Sequence, residues 1–478
     1  MTTTDTQPAV ENLDQDAISA RESGLRRSVS ARQMAMIALG SSIGTGLFLG
    51  AGIAIATAGP AVLISYVIGA VIALIMMYSL AELTVVHPTA GAFGAQAEYY
   101  LGGGAGYVTR YMYWSAQVLA IGGEATAIGL YMGFWFPAVP HVVWVAGAAA
   151  VLIALNASNV KNFGRAEYWF TTIKITAIIA FIVAGLVLIF RNFAGVHGVN
   201  NLYSDGGFMP HGWTGVWFAV LMAVFSYYGV EVVAVSAGET SEPKKNIPKA
   251  FRLQVVRLIV FYLLSLSVML AIVPWTDTGA VTVSQSPFVL TLDKLGFPLA
   301  TGVMNFVILT AALSSMNANL YVSTRMIFSL ARSGQGPALL GRVTQKHGIP
   351  AGALGFSSIG IIVALALNVY TPAAFNILFG VSIFGGIFVW IMILVTFIAY
   401  RRSPNHARAS FKAPFSPWLQ VLGIALLGAV LVTMAFEPSW RFAWFVGPPY
   451  IIFLFIVYWL FYRKRKPRAE RDGSAQLE

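Results

Sequence analysis

The chain contains no cysteine, which excludes disulfide bonds, thiolate catalysis and cysteine metal sites together and leaves its compartment unreadable from redox chemistry. Charge is scarce as well. Lys, Arg, Asp and Glu make up 10% of its 478 residues, against 57% hydrophobic residues and a mean hydropathy of +0.73. Soluble enzymes are not built this way; the composition is that of a polytopic membrane protein. The first 24 residues hold five acids, one arginine and no apolar stretch, so they read as a disordered tail, neither a signal peptide nor a span. The histidines (His87, His141, His197, His211, His347 and His406) lack metal-ligand spacing. The glycine-rich stretches lack the GK[ST] ending of a phosphate-binding loop. No metal, no cofactor and no ATP-driven mechanism is expected.

What the chain does have is long apolar runs. They lie near residues 33–56, 60–86, 107–136, 141–157, 166–190, 213–237, 250–274, 298–330, 352–370, 373–400, 417–436 and 442–462, each long enough to approach or complete a bilayer crossing as a helix. The expected fold class is an all-α polytopic membrane protein of about twelve transmembrane helices. A net charge of +11 would suit nucleic acid, but the basic residues follow the membrane instead. With a cytoplasmic N-terminus, Arg191, Lys294 and Arg441 fall outside, Lys174 falls within a span, and every other Lys and Arg is cytoplasmic. That asymmetry obeys the positive-inside rule and depends on an even number of spans. The expected partner is therefore the lipid bilayer and not nucleic acid, with both termini in the cytoplasm. Oligomeric state is not legible.

Two of the runs are interrupted. The first contains Gly40-Ser41-Ser42-Ile43-Gly44-Thr45-Gly46, three glycines and three hydroxyl residues where a membrane helix should be most regular. Glycine weakens a helix, and backbone groups freed in hydrocarbon are costly unless protein, water or a ligand satisfies them. The sixth run is interrupted between Ser226 and Glu231. A packing face of small residues would explain the first break taken alone. Paired broken helices, however, are how many secondary transporters build a substrate site near the bilayer midplane. The broken runs open two blocks of five spans, 33–190 and 213–400, which an odd number of crossings places in opposite orientations. The expected organisation is a cytoplasmic tail over 1–32 and a transporter core over 33–400 made of a 5+5 inverted repeat (LeuT-like). An appended helix pair over 417–462 and a basic cytoplasmic tail over 463–478 follow. The segment from His87 to Gly104 reads as a short amphipathic helix or a plain connector, and that from Arg191 to Gly212 as a cover over the outer mouth or a connector.

Several segments resemble a known family. They are Gly40 to Gly50 followed by Ala58-Gly59-Pro60, then Ser79-Leu80-Ala81-Glu82-Leu83, then Gly129-Leu130-Tyr131-Met132 with Trp135-Phe136-Pro137. Further on come Ala237-Gly238-Glu239, Glu242-Pro243, Asn246-Ile247-Pro248-Lys249-Ala250 and Ser323-Thr324-Arg325-Met326. In this order, from the first span to the eighth, they look like the signatures of bacterial amino acid permeases in the amino acid/polyamine/organocation superfamily. The resemblance implies an amino acid substrate, a proton as coupling ion, alternating access and a bacterial inner membrane. In proton-coupled members a lysine of the fifth span stands where sodium-coupled relatives hold an ion, and Lys174 is similar to it. Glu124 resembles a membrane-embedded glutamate near the family's site.

The residues themselves suit a zwitterion. After the first break the helix restarts near Gly44, Thr45 and Gly46, where N–H groups and the positive dipole end favour a carboxylate. The carbonyls of Ser42 and Phe225, with Ser226 and Tyr227, are then placed to accept hydrogen bonds from an ammonium. The expected substrate-binding residues are Ser42, Ile43, Gly44, Thr45, Gly46, Phe225, Ser226, Tyr227, Tyr228 and Glu124. Phe225, Tyr227 and Tyr228 wall a side-chain pocket, or else belong to an ordinary packed core.

Four ionisable residues are assigned to the bilayer interior: Glu82, Glu124, Lys174 and Glu231. Lys174 shares a stripe with Thr171 and Ala177 and reads as the proton-coupling residue, or as a structural ammonium on the carbonyls of the first span. Glu124 has Gln117 and Tyr131 seven residues to either side. It reads as a proton relay or substrate-amine contact, or as a buried carboxyl tying helices together. Glu231 reads as a brace for the second break ahead of a substrate contact. Glu82, near the cytoplasmic end of its span, needs a partner and suits a gate ion pair.

The expected function is secondary active uptake of a neutral, aromatic or γ-amino acid with a proton, since no second membrane acid pairs with Glu124 to hold a cationic substrate. Exchange of two amino acids on the same fold is the alternative, and counterflow with and without a pH gradient separates the two. A channel would show itself by conductance, and a nutrient receptor by a folded soluble output domain. An intramembrane enzyme needs a clustered nucleophile, metal ligands or paired acids, and the four buried charges lie on four different spans. No enzyme activity is expected.

Overall fold

The computed structural model describes residues 22, 25, 29–41, 43–44, 46–158, 160–191, 198–240, 242–278, 287–294, 299–345, 348–370, 374–438 and 440–465. Among them every regular element is helical, and one isolated β-bridge joins Val29 to Thr240. The protein is an all-α polytopic membrane protein. Helix α1 (Ala31–Gly40) starts on a capping box: the Ser30 hydroxyl accepts from the Gln33 N–H at 3.2 Å, and the Gln33 side-chain oxygen accepts from the Ser30 N–H at 3.1 Å. After the glycine run the chain resumes as a π-helical turn (Gly46–Gly50) and α2 (Ala51–Ala58), then continues through a tight turn into α3 (Val62–Val86). Next come α4 (Ala92–Leu101), α5 (Gly103–Trp135), α6 (His141–Ser158), α7 (Val160–Phe190) and α8 (Gly212–Tyr227). They are followed by α9 (Val232–Ser236), α10 (Pro243–Arg257), a π-helical stretch (Leu258–Leu264), α11 (Ser265–Ile272), α12 (Pro287–Lys294) and α13 (Ala300–Arg332). The described chain closes with α14 (Ala351–Tyr370), α15 (Ala374–Arg401), α16 (Trp418–Phe436) and α17 (Arg441–Val457).

Ten helices among the described residues are long and apolar enough to cross a membrane. The expected count is higher because the first apolar run is cut: its first half is the ten-residue α1, too short to span, and its second half runs on with the next helix as Gly46–Val86. A further apolar helical stretch, Ala351–Val363, lies within the 20-residue α14. Burial grades the helices. The most apolar windows of Gly212–Glu239 and Thr301–Arg332 are 83% and 78% buried, against 11% for Arg441–Tyr462. The core therefore lies around α8, α9 and α13, with α17 at the rim.

The second break falls where the sequence interrupts the sixth run. Tyr228 is extended (φ −60°, ψ 142°) and Gly229 takes φ +98°, a conformation only glycine adopts without steric cost, before α9 restarts the helix. The short helix expected between His87 and Gly104 is α4, but it is buried from Ala92 to Glu98 instead of lying amphipathically on a surface. The tail also departs from expectation. Glu22 is buried, its carboxylate accepting from the Gly91 N–H at 2.8 Å and from the Ser329 hydroxyl, so part of the first 24 residues is packed. The Val29 N–H donates to the Glu239 carbonyl at 3.1 Å.

Candidate functional site

The two helix breaks touch. The Ser41 hydroxyl donates to the Gly229 carbonyl at 2.9 Å, and the Ser226 hydroxyl donates to the carbonyls of Met222 at 2.9 Å and Gly46 at 3.2 Å. Beside this junction lies a small cavity of about 30 Å³, lined by Ser41, Gly44, Gly46, Ala120, Glu124, Phe225, Tyr228, Gly229, Ser315, Asn319 and Phe379. Polar groups from α5 and α13 meet bare backbone from the first break. Aromatic rings close another side, with Phe225 and Phe379 in edge contact at 5.1 Å between centroids. A Cβ on Gly44 would lie 3.1 Å from Glu124 Oε1 and 3.2 Å from Ser315 Oγ, and one on Gly46 would lie 3.1 Å from the Phe225 ring. The absence of side chains at these two glycines therefore leaves the cavity its room.

The carbonyls at the broken end of α1 are accounted for by buried cations and an amide. Ala38 O accepts from Arg257 at 2.7 Å and from Gln254 at 3.2 Å, and Leu39 O accepts from Arg257 at 3.2 Å. Gly40 O accepts from the Lys174 ammonium at 2.7 Å, and Ile43 O from the same ammonium at 2.9 Å. Helix C-termini leave such carbonyls without intrahelical partners and carry a negative dipole end, so cations belong there. The third Lys174 bond goes to Ser314 Oγ of α13 at 2.9 Å. One ammonium thus ties α7 to the break and to α13.

The paired helix break thus carries a cation on its carbonyl end and a small cavity beside it. The model of the amino acid permease family matches residues 33–471. The chain belongs to this family. Similar proteins include the uncharacterized amino acid permease YtnA of Bacillus subtilis (strain 168), 38% identical over 442 residues covering 91% of this chain and 95% of the relative. The aromatic amino acid transport protein AroP of Salmonella typhimurium (strain SL1344) is 38% identical over 440 residues, with coverage of 91% and 95%. The amino-acid permease RocC of Bacillus subtilis (strain 168) is 37% identical over 454 residues, with coverage of 92% and 96%. Membership makes this permease an amino acid transporter of the membrane.

Of the expected substrate-binding residues, Gly44, Gly46, Phe225, Tyr228 and Glu124 line the permease cavity. Ser42 and Thr45 lie outside the described residues. Ser226 sits at the junction of the breaks, its hydroxyl engaged with backbone as described. Three expectations change. Ile43 turns its carbonyl to Lys174. The Phe225 carbonyl accepts from the Tyr228 N–H at 3.0 Å, because α8 closes its last turn there. Tyr227 points away from the cavity: its hydroxyl donates to the Tyr66 carbonyl at 3.0 Å and its ring packs on Tyr66 and Tyr262.

The polar stripe of α5 meets both breaks. Gln117 donates to the Tyr228 hydroxyl at 3.1 Å, and Glu124 lies beside Gly44. Glu231 braces the second break, accepting from the Gly229 N–H at 3.2 and 3.1 Å, the Tyr113 hydroxyl at 2.9 Å and the Trp390 ring N–H at 3.2 Å. Glu82 finds Arg401 at 2.8 Å and the Ala413 N–H at 2.7 Å, joining α3 to the end of α15.

The buried charges are more numerous than the four expected. Glu167 and Arg257 are fully buried, and two further buried ion pairs form, Arg110 with Glu98 at 2.7 Å and Arg325 with Glu239 at 2.8 Å. Sequence reasoning also passed over Ser315, Asn319 and Phe379 in the cavity wall. The signal for the first two was Ser314-Ser315-Met316-Asn317-Ala318-Asn319, a polar stretch within an apolar run. Among the described residues no three His, Asp or Glu side chains gather as a metal site.

Proposed function

We propose that this permease takes up a neutral, aromatic or γ-amino acid together with a proton, by alternating access. The observation that carries the proposal is the seat of Lys174, whose ammonium donates to Gly40 O, Ile43 O and Ser314 Oγ. A single titratable cation there holds α1 against α7 and α13. Loss of its proton removes the charge that attracts the carbonyl end and frees α1 to move. Substrate and proton then act on one two-state element, and each biases it for the other.

The substrate carboxylate is assigned to the backbone between Gly44 and Gly46, on the positive side of the break, and the amine to the neighbourhood of Glu124 and Ser226. The side chain goes among Phe225, Tyr228 and Phe379, which favours an apolar or aromatic group; the name of the AroP relative, an aromatic amino acid transport protein, points the same way. The distribution of basic residues supports a bacterial inner-membrane protein with both termini cytoplasmic, and a core of two inverted five-helix blocks over 33–190 and 213–400 followed by the pair over 417–462.

The test uses proteoliposomes carrying a pH dye. Substrate-driven proton entry and accumulation against a gradient should vanish in Lys174→Ala, while exchange across membranes of equal pH survives. Undiminished proton entry in Lys174→Ala would move the coupling elsewhere, with Glu124 the first candidate. A panel of amino acids scored by thermal stabilisation identifies the substrate used.

A further inference from the structure

The polar chain at the first break does not stop at Lys174. The Ser314 hydroxyl that accepts from its ammonium donates in turn to Glu167 Oε1 at 2.5 Å. Asn317, three residues further along α13, donates to the other carboxylate oxygen at 3.3 Å, and is itself held by Asn156 of α6 at 2.9 Å. Glu167 is fully buried. With Thr171 and Lys174 it occupies positions i, i+4 and i+7 of α7, one face of that helix. Gly40 lies against this face so closely that a Cβ on it would meet Thr171 Oγ1 at 1.8 Å and Glu167 Oε1 at 3.1 Å. Bare backbone of α1 therefore covers the carboxylate. Both neighbours donate, so this position calls for the two acceptor oxygens of an ionised carboxylate, where a glutamine would turn its NH2 on one of them.

We propose that Glu167 is a second proton station, which takes the Lys174 proton through Ser314 and passes it to the cytoplasm when α1 moves away. In the first step an Nζ–H bond of Lys174 breaks and its proton bonds to Ser314 Oγ. The hydroxyl proton of Ser314 bonds at the same time to Glu167 Oε1, leaving a neutral amine, an intact hydroxyl and a carboxylic acid. In the second step the acid gives its proton to water and the carboxylate is restored. Glu167 lies seven residues, about 10 Å along the helix axis, towards the end of α7 that carries Lys161 and Arg165. Basic-residue placement assigns that end to the cytoplasm. The other charges whose fields reach Lys174 are Arg257 and Glu124. Arg257 is engaged with α1 carbonyls and Glu124 faces the cavity, so Glu167 is the carboxylate on the inner side.

This inference rests on the proton-coupled function proposed above, and one experiment separates the two. Wild type, Glu167→Gln and Ser314→Ala are reconstituted, and two quantities are read for each: substrate-driven acidification of the lumen, and exchange of labelled for unlabelled amino acid at equal pH. The wild type should acidify. Both variants should lose acidification by about a hundredfold, the lower end of what a positioned proton-transfer group contributes, with exchange little changed. Glu167→Asp and Ser314→Thr, which keep the acid and the hydroxyl, should recover part of the loss. Wild-type acidification in Glu167→Gln would overturn the inference, and so would a parallel loss of exchange and acidification, the mark of a merely structural role. If Glu167→Gln does not fold, Ser314→Ala decides between the same two outcomes. A wild type that exchanges without acidifying removes the proton-coupled function and this inference with it.

Discussion

An alanine methyl at position 40 has no space to occupy. Its Cβ would sit 1.8 Å from Thr171 Oγ1, 2.9 Å from Thr171 Cβ and 3.1 Å from Glu167 Oε1. Rotating Thr171 aside gives up its bond to the Met36 carbonyl at 3.2 Å, a loss of about 1 kcal/mol. The short contact between the two Cβ atoms remains, so α1 itself must shift. Overpacking of this kind costs about 1–3 kcal/mol, and the better helix propensity of alanine returns only about 0.5–1 kcal/mol. The net is about 1–3 kcal/mol against the docked position of α1, a shift of about 5- to 150-fold towards the undocked one. Because the chain has no cysteine, a single Ala38→Cys substitution reports that shift cleanly: Ala38 is fully buried in α1. Its maleimide labelling rate in detergent should rise by the stated factor in Gly40→Ala, and the melting temperature should fall. Adding Thr171→Ala should recover part of both. Unchanged labelling together with an unchanged melting temperature would mean that the contact between α1 and α7 does not hold the helix in place.

Gly44→Val and Gly46→Val should fold and insert but lose substrate binding, because their side chains would run into Glu124 and Ser315 in one case and into the Phe225 ring in the other. The readout is thermal stabilisation, about 2.7 kcal/mol for wild type at a hundred times the dissociation constant; wild-type stabilisation in both variants would remove the cavity as the site. Glu124→Gln keeps shape and hydrogen bonding without a negative charge, so uptake should fall about a hundredfold with folding intact. Normal uptake by that variant across about pH 5 to 8 would leave the carboxylate without an essential role.

Both helix breaks were legible in the sequence because they oppose what a membrane helix requires. Glycine and hydroxyl residues in mid-span leave backbone groups to be satisfied, and the structure places those groups against Lys174, Arg257 and Ser226. Lys174 stood out for the same reason, as a charge deep in an apolar run. Glu167 did not: it sits near the basic end of α7, where a carboxylate reads as surface, and only the fold brings Ser314 to it. Arg257 was assigned to the cytoplasmic side, yet the helix running on from α10 into the π-helical stretch carries it under α1. Tyr227 and Tyr228 differ in role because successive side chains on a helix point about 100° apart and the chain leaves its helix between them. Spacing alone could not tell which tyrosine faces the cavity.

Arg257 and Lys174 grip α1 through main-chain oxygen atoms alone. A carbonyl is the same group whatever residue bears it, so the side chains of Ala38, Leu39 and Ile43 keep no record of the grip. A scan of point substitutions would register the two cations and remain blind to what they hold. Only an edit of the backbone itself, such as an ester replacing the amide that follows Gly40, would weaken the acceptor while every side chain stayed as it is.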